Sequence, residues 1–368
     1  MSYYKRTADA LLQDLLDAFG AVLIEGPKWC GKTTTASQVA NSILKMQDPS
    51  MRAEYLATAK TKPSILLNGA TPRLIDEWQD APTLWDAVRT TVDDRQIPGQ
   101  FILTGSNTVD KSQIHHSGAG RIARLRMLPM SLWESQESTG EVSLKELFNN
   151  PDYDIDGKMS KMTVEDLIFA ASRGGWPASL LARTPKAQLL VAKNYVQTIC
   201  SNDISGIDGK KRDARLTSMI LRAYARNVST LVKKKSLLDD VTSSGEVSCH
   251  VDTFDDYVAA LEKLFVIQNI SAWCPAIRSK TAIRSSVKRC FCDPSIPIAL
   301  LGLSPESLSM QLRTFGFIFE QMCIRDLKAY TIEFKQSCCL TTMTDTIWKQ
   351  ILCCIWKTDV MLDRVQTW

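Results

Sequence analysis

"GPKWCGKTT", residues 26–34, lies between the apolar run "AVLIE" (21–25) and the polar stretch "TASQVANSILK" (35–45). Gly26, Gly31, Lys32 and Thr33 occupy the fixed positions of G-x-x-x-x-G-K-[ST]. Each residue type has a physical task at that spacing. Glycine lets the backbone curl until successive N–H groups converge on one anion. A helix starting after Gly31 presents its positive end to the same anion. Lys32 reaches the outer phosphates of a nucleotide, and Thr33 holds Mg²⁺. The plain alternative is a Gly-Lys surface turn, and the strand before and helix after the stretch argue against it. Gly26, Pro27, Lys28, Gly31, Lys32, Thr33 and Thr34 are the expected nucleotide-binding residues.

The second half of such a site lies on a neighbouring strand. "PRLIDEWQ" (72–79) supplies apolar Leu74 and Ile75, then Asp76 and Glu77. Paired acids at a strand end are costly to bury unless a cation compensates. Asp76 fits the Mg²⁺ shell, and Glu77 fits the carboxylate that polarises an attacking water. "GQFILTGSN" (99–107) is a third strand. Thr104, Ser106 or Asn107 could stand between Glu77 and the outer phosphate, and Ser106 is the choice made here. Arg121, with Arg124 as the alternative, is the expected cation for charge developing on the transferred phosphate. It would act in cis or from a second copy in a homo-oligomer. The plain alternative for either arginine is a solvated strand face. Trp29 lies inside the motif, exposed by position, whereas Trp78 and Trp85 read as packing residues.

Elsewhere in this half, 7–19 reads as a helix with Leu11, Leu12, Leu15 and Leu16 on one face. Residues 32–45 read as the helix after the first strand. "APTLWDAVRTTVDD" (81–94) carries a helical period, and "RIARLRMLPMSLWE" (121–134) adds a strand. Alternating strands and helices predict an α/β fold with a parallel sheet.

The chain has 368 residues, 45% hydrophobic and 23% charged, the balance of an ordinary globular protein. The formal net charge of +4 is too small to imply a nucleic-acid partner by itself. It is unevenly spread: residues 1–150 hold 16 basic and 17 acidic side chains, and residues 211–330 hold 17 and 12. Eleven cysteines are scattered or paired side by side, and with three histidines they form no zinc spacing. The N-terminus has no signal-peptide pattern and no run reaches membrane-spanning length, so the expected location is cytoplasmic, without a membrane partner.

"NNPDYDIDGKMSK" (149–161) is rich in turn formers and reads as a linker. Beyond it, helices are expected at 163–172, 186–201, 211–227 and 252–264, then a strand at "FVIQNISAW" (265–273). Helices followed by a strand give the order of a winged helix-turn-helix. The predicted organisation is a P-loop domain at 1–150, a helical linker region at 151–210, a winged-helix-like domain at 211–290, and a C-terminal α/β region at 291–368.

"GPKWCGKTTTASQ", "PRLIDEWQDAPTLWDAVR", "GQFILTGS", "HHSGAGRIARLRMLPMSLWE" and "SRGGWPASL" resemble the bacterial and archaeal AAA-like (AAA_14-type) P-loop ATPases that carry a C-terminal domain of unknown function 4143. The resemblance runs from about residue 5 to residue 330. It extends through "LRAYARNVST", "DTFDDYVAALEKLFVIQNISAW", "IRSKTAIRSS", "DPSIPIAL" and "TFGFIFEQMCIRDLKAY". It implies ATP as the nucleotide and an additional-strand ATPase core. After that core it implies a winged-helix-like segment and a restriction-endonuclease-like domain. Residues 331–368 depart from the family's pattern. They hold no Gly or Pro, four of the eleven cysteines and three of the nine tryptophans. "IEFK" offers Glu333 and Lys335 but no preceding acid-bearing strand, and a nuclease site needs several carboxylates. The tail therefore reads as out of frame or truncated, with a divergent helix as the alternative, and the endonuclease-like domain as incomplete.

Two basic clusters suggest DNA: Lys233, Lys234 and Lys235, and Arg278, Lys280, Arg284, Lys288 and Arg289. A protein-docking face is the competing reading. The expected functions are an ATP-hydrolysing switch or motor acting on DNA, or a nucleotide-gated interaction module with little turnover. An ATP-assisted nuclease lacks its carboxylates.

Overall fold

The computed structural model describes residues 3–106, 116–150, 152–243, 247–271 and 287–332. Its centre is a five-stranded sheet built from β1 (Ala21–Glu25), β2 (Ser42–Lys45), β3 (Arg73–Asp76), β4 (Phe101–Gly105) and β5 (Ile122–Arg126). The order is β2-β3-β4-β1-β5, and every pairing is parallel. β4 thus sits between β1 and β3, the additional-strand arrangement. β1 and β4 are apolar almost throughout because a parallel sheet is covered on both faces. Alternate residues serve opposite layers. Leu23, Ile75 and Leu103 pack under Leu84, Trp85 and Val88 of α4 (Thr83–Arg95). Val22, Leu74 and Ile102 pack under Leu12 and Leu16 of α1 (Ala8–Ala18).

One expectation is corrected here. Residues 32–45 are not a single helix: α2 is only Lys32–Ser37, and β2 follows at Ser42–Lys45. Ala36, Val39 and Ile43 imitate a helical face in the sequence. The edge of the sheet overrides that period, with Ile43 paired to Leu74 and Asn41 N donating to Pro72 O at 2.8 Å.

The remainder of the described chain is helical. It comprises α6 (Val164–Arg173), α7 (Pro177–Leu180), α8 (Pro185–Thr198), α10 (Ala214–Arg226), α11 (Lys234–Thr242), α12 (Val251–Lys263), α13 (Ser295–Leu301) and α15 (Leu312–Tyr330), with the short α3 (Arg52–Thr61) and α5 (Leu144–Asn149) earlier and α9 (Ile204–Gly206) and α14 (Pro305–Ser309) between. Two isolated antiparallel bridges, Ile267 to Phe291 and Ile270 to Lys288, follow α12. The three expected segments share one apolar core: Trp176 and Tyr195 meet Ile220, Leu221 and Leu261, and these meet Ile296, Ile318 and Met322. The boundaries drawn at 210 and 290 therefore coincide with no break in packing. Residues 291–332 complete this helical core, and the endonuclease-like continuation and the tail from 333 lie outside the described residues.

A buried charge cluster joins the two halves. Arg325 donates to Asp293 Oδ2 at 2.9 Å and pairs with Asp326 at 2.7 Å. Asp293 also accepts from Gly175 N, and Asp326 from Leu132 N. Burial alone would lower the Arg325 pKa, but the two carboxylates outweigh it and raise it. Gly175 is required by closeness: a Cβ there would lie 2.1 Å from Met130 O. Among the described residues no helix is long and apolar enough to cross a membrane.

Candidate nucleotide site

Residues 26–31 leave the end of β1 and enter α2 through a loop with left-handed φ of +64° at Trp29 and +99° at Gly31. Such reversals turn backbone N–H groups toward a shared anion. α2, which follows the loop, has only six residues. Lys32 is buried, and its Nζ donates to Gly26 O at 3.0 Å and Pro27 O at 2.9 Å. Gly26 is fixed by its neighbour strand, because a Cβ would stand 2.2 Å from Met127 O. Gly26→Ala is expected to distort the loop, cost about 1–3 kcal/mol and abolish nucleotide binding. Thermal melting and nucleotide titration together check this.

Arg6, which sequence reasoning missed, braces the loop from behind. Its guanidinium donates to Cys30 O and Leu128 O, both at 2.7 Å, and to Glu134 Oε1 at 3.0 Å. Burial would raise the Glu134 pKa, but Arg6 and the N–H groups of Ser131 and Thr7 overcome that and hold it below the ordinary value. An acid depressed in the fold stabilises it above its unfolded pKa, near 4.3, and that contribution disappears as pH falls through the folded value. Glu134→Gln should therefore cost about 3–5 kcal/mol near neutral pH, and the gap to wild type should close in acid. Urea unfolding at pH 7 and pH 3 measures it.

The acids stand across the loop. Asp76 Oδ1 accepts from Thr33 Oγ1 and from Thr104 Oγ1, each at 2.6 Å. This is a donor set suited to a hard cation such as Mg²⁺. Glu77 follows the strand end with φ +56°, an uncommon value for a non-glycine residue. Its Oε2 accepts from Ser106 Oγ at 3.0 Å and from Gln79 Nε2. The choice of Ser106 thus meets Glu77 directly, Thr104 serves Asp76, and Asn107 lies outside the described residues. Gln79 had no signal in the sequence beyond its place after the acids.

A cleft of about 770 Å³ opens over this group. Lys28, Gly31, Lys32, Thr33, Thr34 and Glu77 line one side of it, with Gln47 beside them. Pro177, Leu181, Leu190, Val191 and Asn194 form the opposite wall. That wall comes from α7, the turn after it and α8, and was not anticipated from the sequence. Lys28 is turned to Asp203, and Trp29 is 45% exposed.

Arg121 does not join the site. Its carbonyl accepts from Ala21 N, at the start of β1, and its side chain pairs with Asp93 at 2.7 Å. The P-loop leaves the other end of β1, about 16 Å away at strand rise, so a role in cis is excluded. Arg124 pairs with Glu25 at 3.1 Å and lies over Trp85. Trp78 and Trp85 pack together in the core, as expected.

The basic clusters fare unevenly. Lys234 pairs with Asp255, Lys288 pairs with Glu320 in a buried setting, and Arg289 is buried and donates to Val232 O. Lys288 and Arg289 are thus structural, because both are buried against their partners. Lys233 and Lys235 flank the start of α11 and are exposed or nearly so. Arg278, Lys280 and Arg284 lie outside the described residues.

Residues 18–136 match the AAA domain family. This part of the chain is an AAA-like P-loop domain. Residues 164–307, behind the AAA-like domain, match a domain of unknown function, DUF8612, rather than the domain of unknown function 4143 of the resemblance. Two uncharacterised mycobacterial proteins, Mb2031c of Mycobacterium bovis and Rv2008c of Mycobacterium tuberculosis, are each 25% identical over 336 residues. That alignment covers 86% of this chain, and the chain spans 65% of the length of those relatives. Among solved structures, a Walker-type ATPase of Pyrococcus abyssi aligns with a TM-score of 0.47 at 13% identity, covering 81% of this chain and 96% of that one. The ORC2 protein of Aeropyrum pernix aligns with a TM-score of 0.35 at 11% identity, covering 86% and 93%.

Proposed function

We propose that the AAA-like domain binds ATP with Mg²⁺ and hydrolyses it, and that nucleotide state sets the position of the helical region. The observation that carries this is the convergence of Thr33, Asp76, Glu77, Thr104 and Ser106 at one edge of the sheet, facing Lys32. Lys32 keeps a third N–H beyond its two carbonyl bonds, and that donor is available to a phosphate oxygen. Gly31 and Thr34 bring the backbone close to the phosphates. Thr33 and Asp76 would hold Mg²⁺, which supplies charge neutralisation when bound. Glu77 accepts the proton of the attacking water, and Ser106 orients its carboxylate. The base and sugar rest against Leu181, Leu190 and Val191, so the helical region forms part of the nucleotide's own cavity. Closure over ATP then moves that region relative to the sheet.

DNA is the partner we favour for the helical region. The succession of α10, α11 and α12 and then two antiparallel bridges supports a winged-helix reading of this region. Lys233 and Lys235 lie exposed at the head of α11, and Arg278, Lys280 and Arg284 add to the basic character of the sequence between residues 270 and 290. The alternative, a nucleotide-gated protein-interaction module, draws on Glu77 being held by two side chains, which favours slow basal turnover. Steady-state ATP turnover at low salt, with and without duplex DNA, separates the two. Stimulation that disappears at high salt supports the DNA reading. Slow turnover indifferent to DNA supports the interaction module, and the absence of turnover in both conditions contradicts hydrolysis.

A further inference from the structure

The tip of the P-loop is fastened to the helical region. Lys28 Nζ lies 2.6 Å from Asp203 Oδ1. Next to it, Trp29 meets Tyr195 edge-on with centroids 5.5 Å apart, and Tyr195 lies against Trp176 at 4.2 Å. Asp203 closes a π-helical turn, Ile199–Asp203, that extends α8. Single π turns of this kind are frequent at functional sites.

The joint is asymmetric. The Lys28 side chain is 39% exposed and lines the nucleotide cleft, whereas the Asp203 side chain is 9% exposed. Lysine is a point charge on a flexible stem, so it can exchange one anion for another without moving its backbone. A polyphosphate in the same cleft carries more negative charge than a single carboxylate. Asp203 cannot lose its cation cheaply, because an unpaired carboxylate that far from water needs a new donor or a new position. A donor is at hand: the Tyr195 hydroxyl is buried without a hydrogen-bond partner among the described residues. Burial pushes its pKa well up, and Asp203 is among the charges acting on it.

We propose that Lys28 and Asp203 form a latch released by nucleotide. Without nucleotide, Lys28 ties the P-loop to the π turn. A bound polyphosphate draws Lys28 into the cleft, and Asp203 and the end of α8 are set free to shift. The latch rests on the nucleotide reading above and adds to it the route by which phosphate reaches the helical region. Linkage is reciprocal, so whatever holds Asp203 in place must weaken nucleotide binding.

The test is Mg-ATPγS affinity, by calorimetry, of the wild-type chain, Asp203→Asn, Lys28→Met and the double variant. Asp203→Asn removes the competing charge at constant shape. The latch predicts that it binds up to about fivefold tighter than wild type, the scale of a lost, partly exposed ion pair. It also predicts that Lys28→Met binds more weakly and that Asp203→Asn has no effect in the Lys28→Met background. Unchanged or weaker binding by Asp203→Asn, or an effect that persists without Lys28, overturns the latch, since a merely structural Asp203 behaves in that way. Hydrogen exchange on the unaltered chain gives an independent readout. Amides of residues 195–206 should lose protection when Mg-ATPγS is added, and unchanged protection there overturns the proposal even if a variant misfolds. A wild-type chain that binds no nucleotide defeats the nucleotide reading and the latch together. A wild type that binds, with an indifferent Asp203→Asn, defeats the latch alone.

Discussion

Glu77→Gln is expected to lower ATP turnover by about 10²–10⁴-fold while leaving Mg-ATP affinity within about twofold. The amide keeps the shape and can still meet Ser106 Oγ, which sits 3.0 Å from the carboxylate. It cannot take a proton from water. In the proposed site Lys32, Thr33 and Asp76, rather than Glu77, would carry binding, so the two effects separate. Single-turnover hydrolysis and nucleotide titration on the same preparation read them. Equal losses of affinity and turnover would mean that Glu77 shapes the pocket rather than acting on water. Ser106→Ala should give a smaller turnover loss of the same kind, because it frees the carboxylate without removing it.

Arg325→Met is the largest expected effect on stability. The substitution leaves Asp293 and Asp326 facing each other in a site where Arg325 is 3% and Asp293 0% exposed. Breaking a buried pair by removing one partner costs about 3–5 kcal/mol. Here two acids lose their cation, while Gly175 N and Leu132 N still depend on them. That places the loss at the top of the range. Because those N–H groups lie where the sheet domain meets the helical region, both halves should melt together at lower temperature. Differential scanning calorimetry checks it. Separate transitions, with only the helical part destabilised, would show that the cluster does not join them.

The sheet was largely legible in the sequence because its strands are short apolar runs punctuated by the residues that do chemistry. "AVLIE" ends in the P-loop, "RLID" ends in the acids and "FILTG" ends in Ser106. β2 was hidden because Ala36, Val39 and Ile43 keep a helical interval past the end of α2, and only pairing with β3 reveals the strand. The site's first contacts, Lys32, Thr33, Asp76, Glu77 and Ser106, follow from motif spacing, which is local. Arg6, Asp203 and the α7–α8 wall do not, because they reach the P-loop through tertiary packing over as many as 175 residues of separation, and Gln79, a local partner of Glu77, belongs to no motif position. Arg121 misled for the same reason. It was the expected cation for the transferred phosphate, but the parallel register with β1 puts it at the far end of the strands. Lys288 and Arg289 looked like part of a solvated basic run, and burial against Glu320 and Val232 assigns them to the core.

The most direct test of the account is calorimetric titration of ATP, with and without Mg²⁺, into the wild-type chain, Lys32→Ala and Asp76→Asn. The account predicts saturable 1:1 binding by the wild type, at least about 100-fold weaker in Lys32→Ala, where a charge-assisted phosphate contact is lost. It predicts that Asp76→Asn removes the Mg²⁺-dependent gain and leaves the Mg²⁺-free affinity nearly intact. Equal binding by the wild type and Lys32→Ala would contradict it, because the nucleotide would then lie outside the cleft formed by residues 26–34.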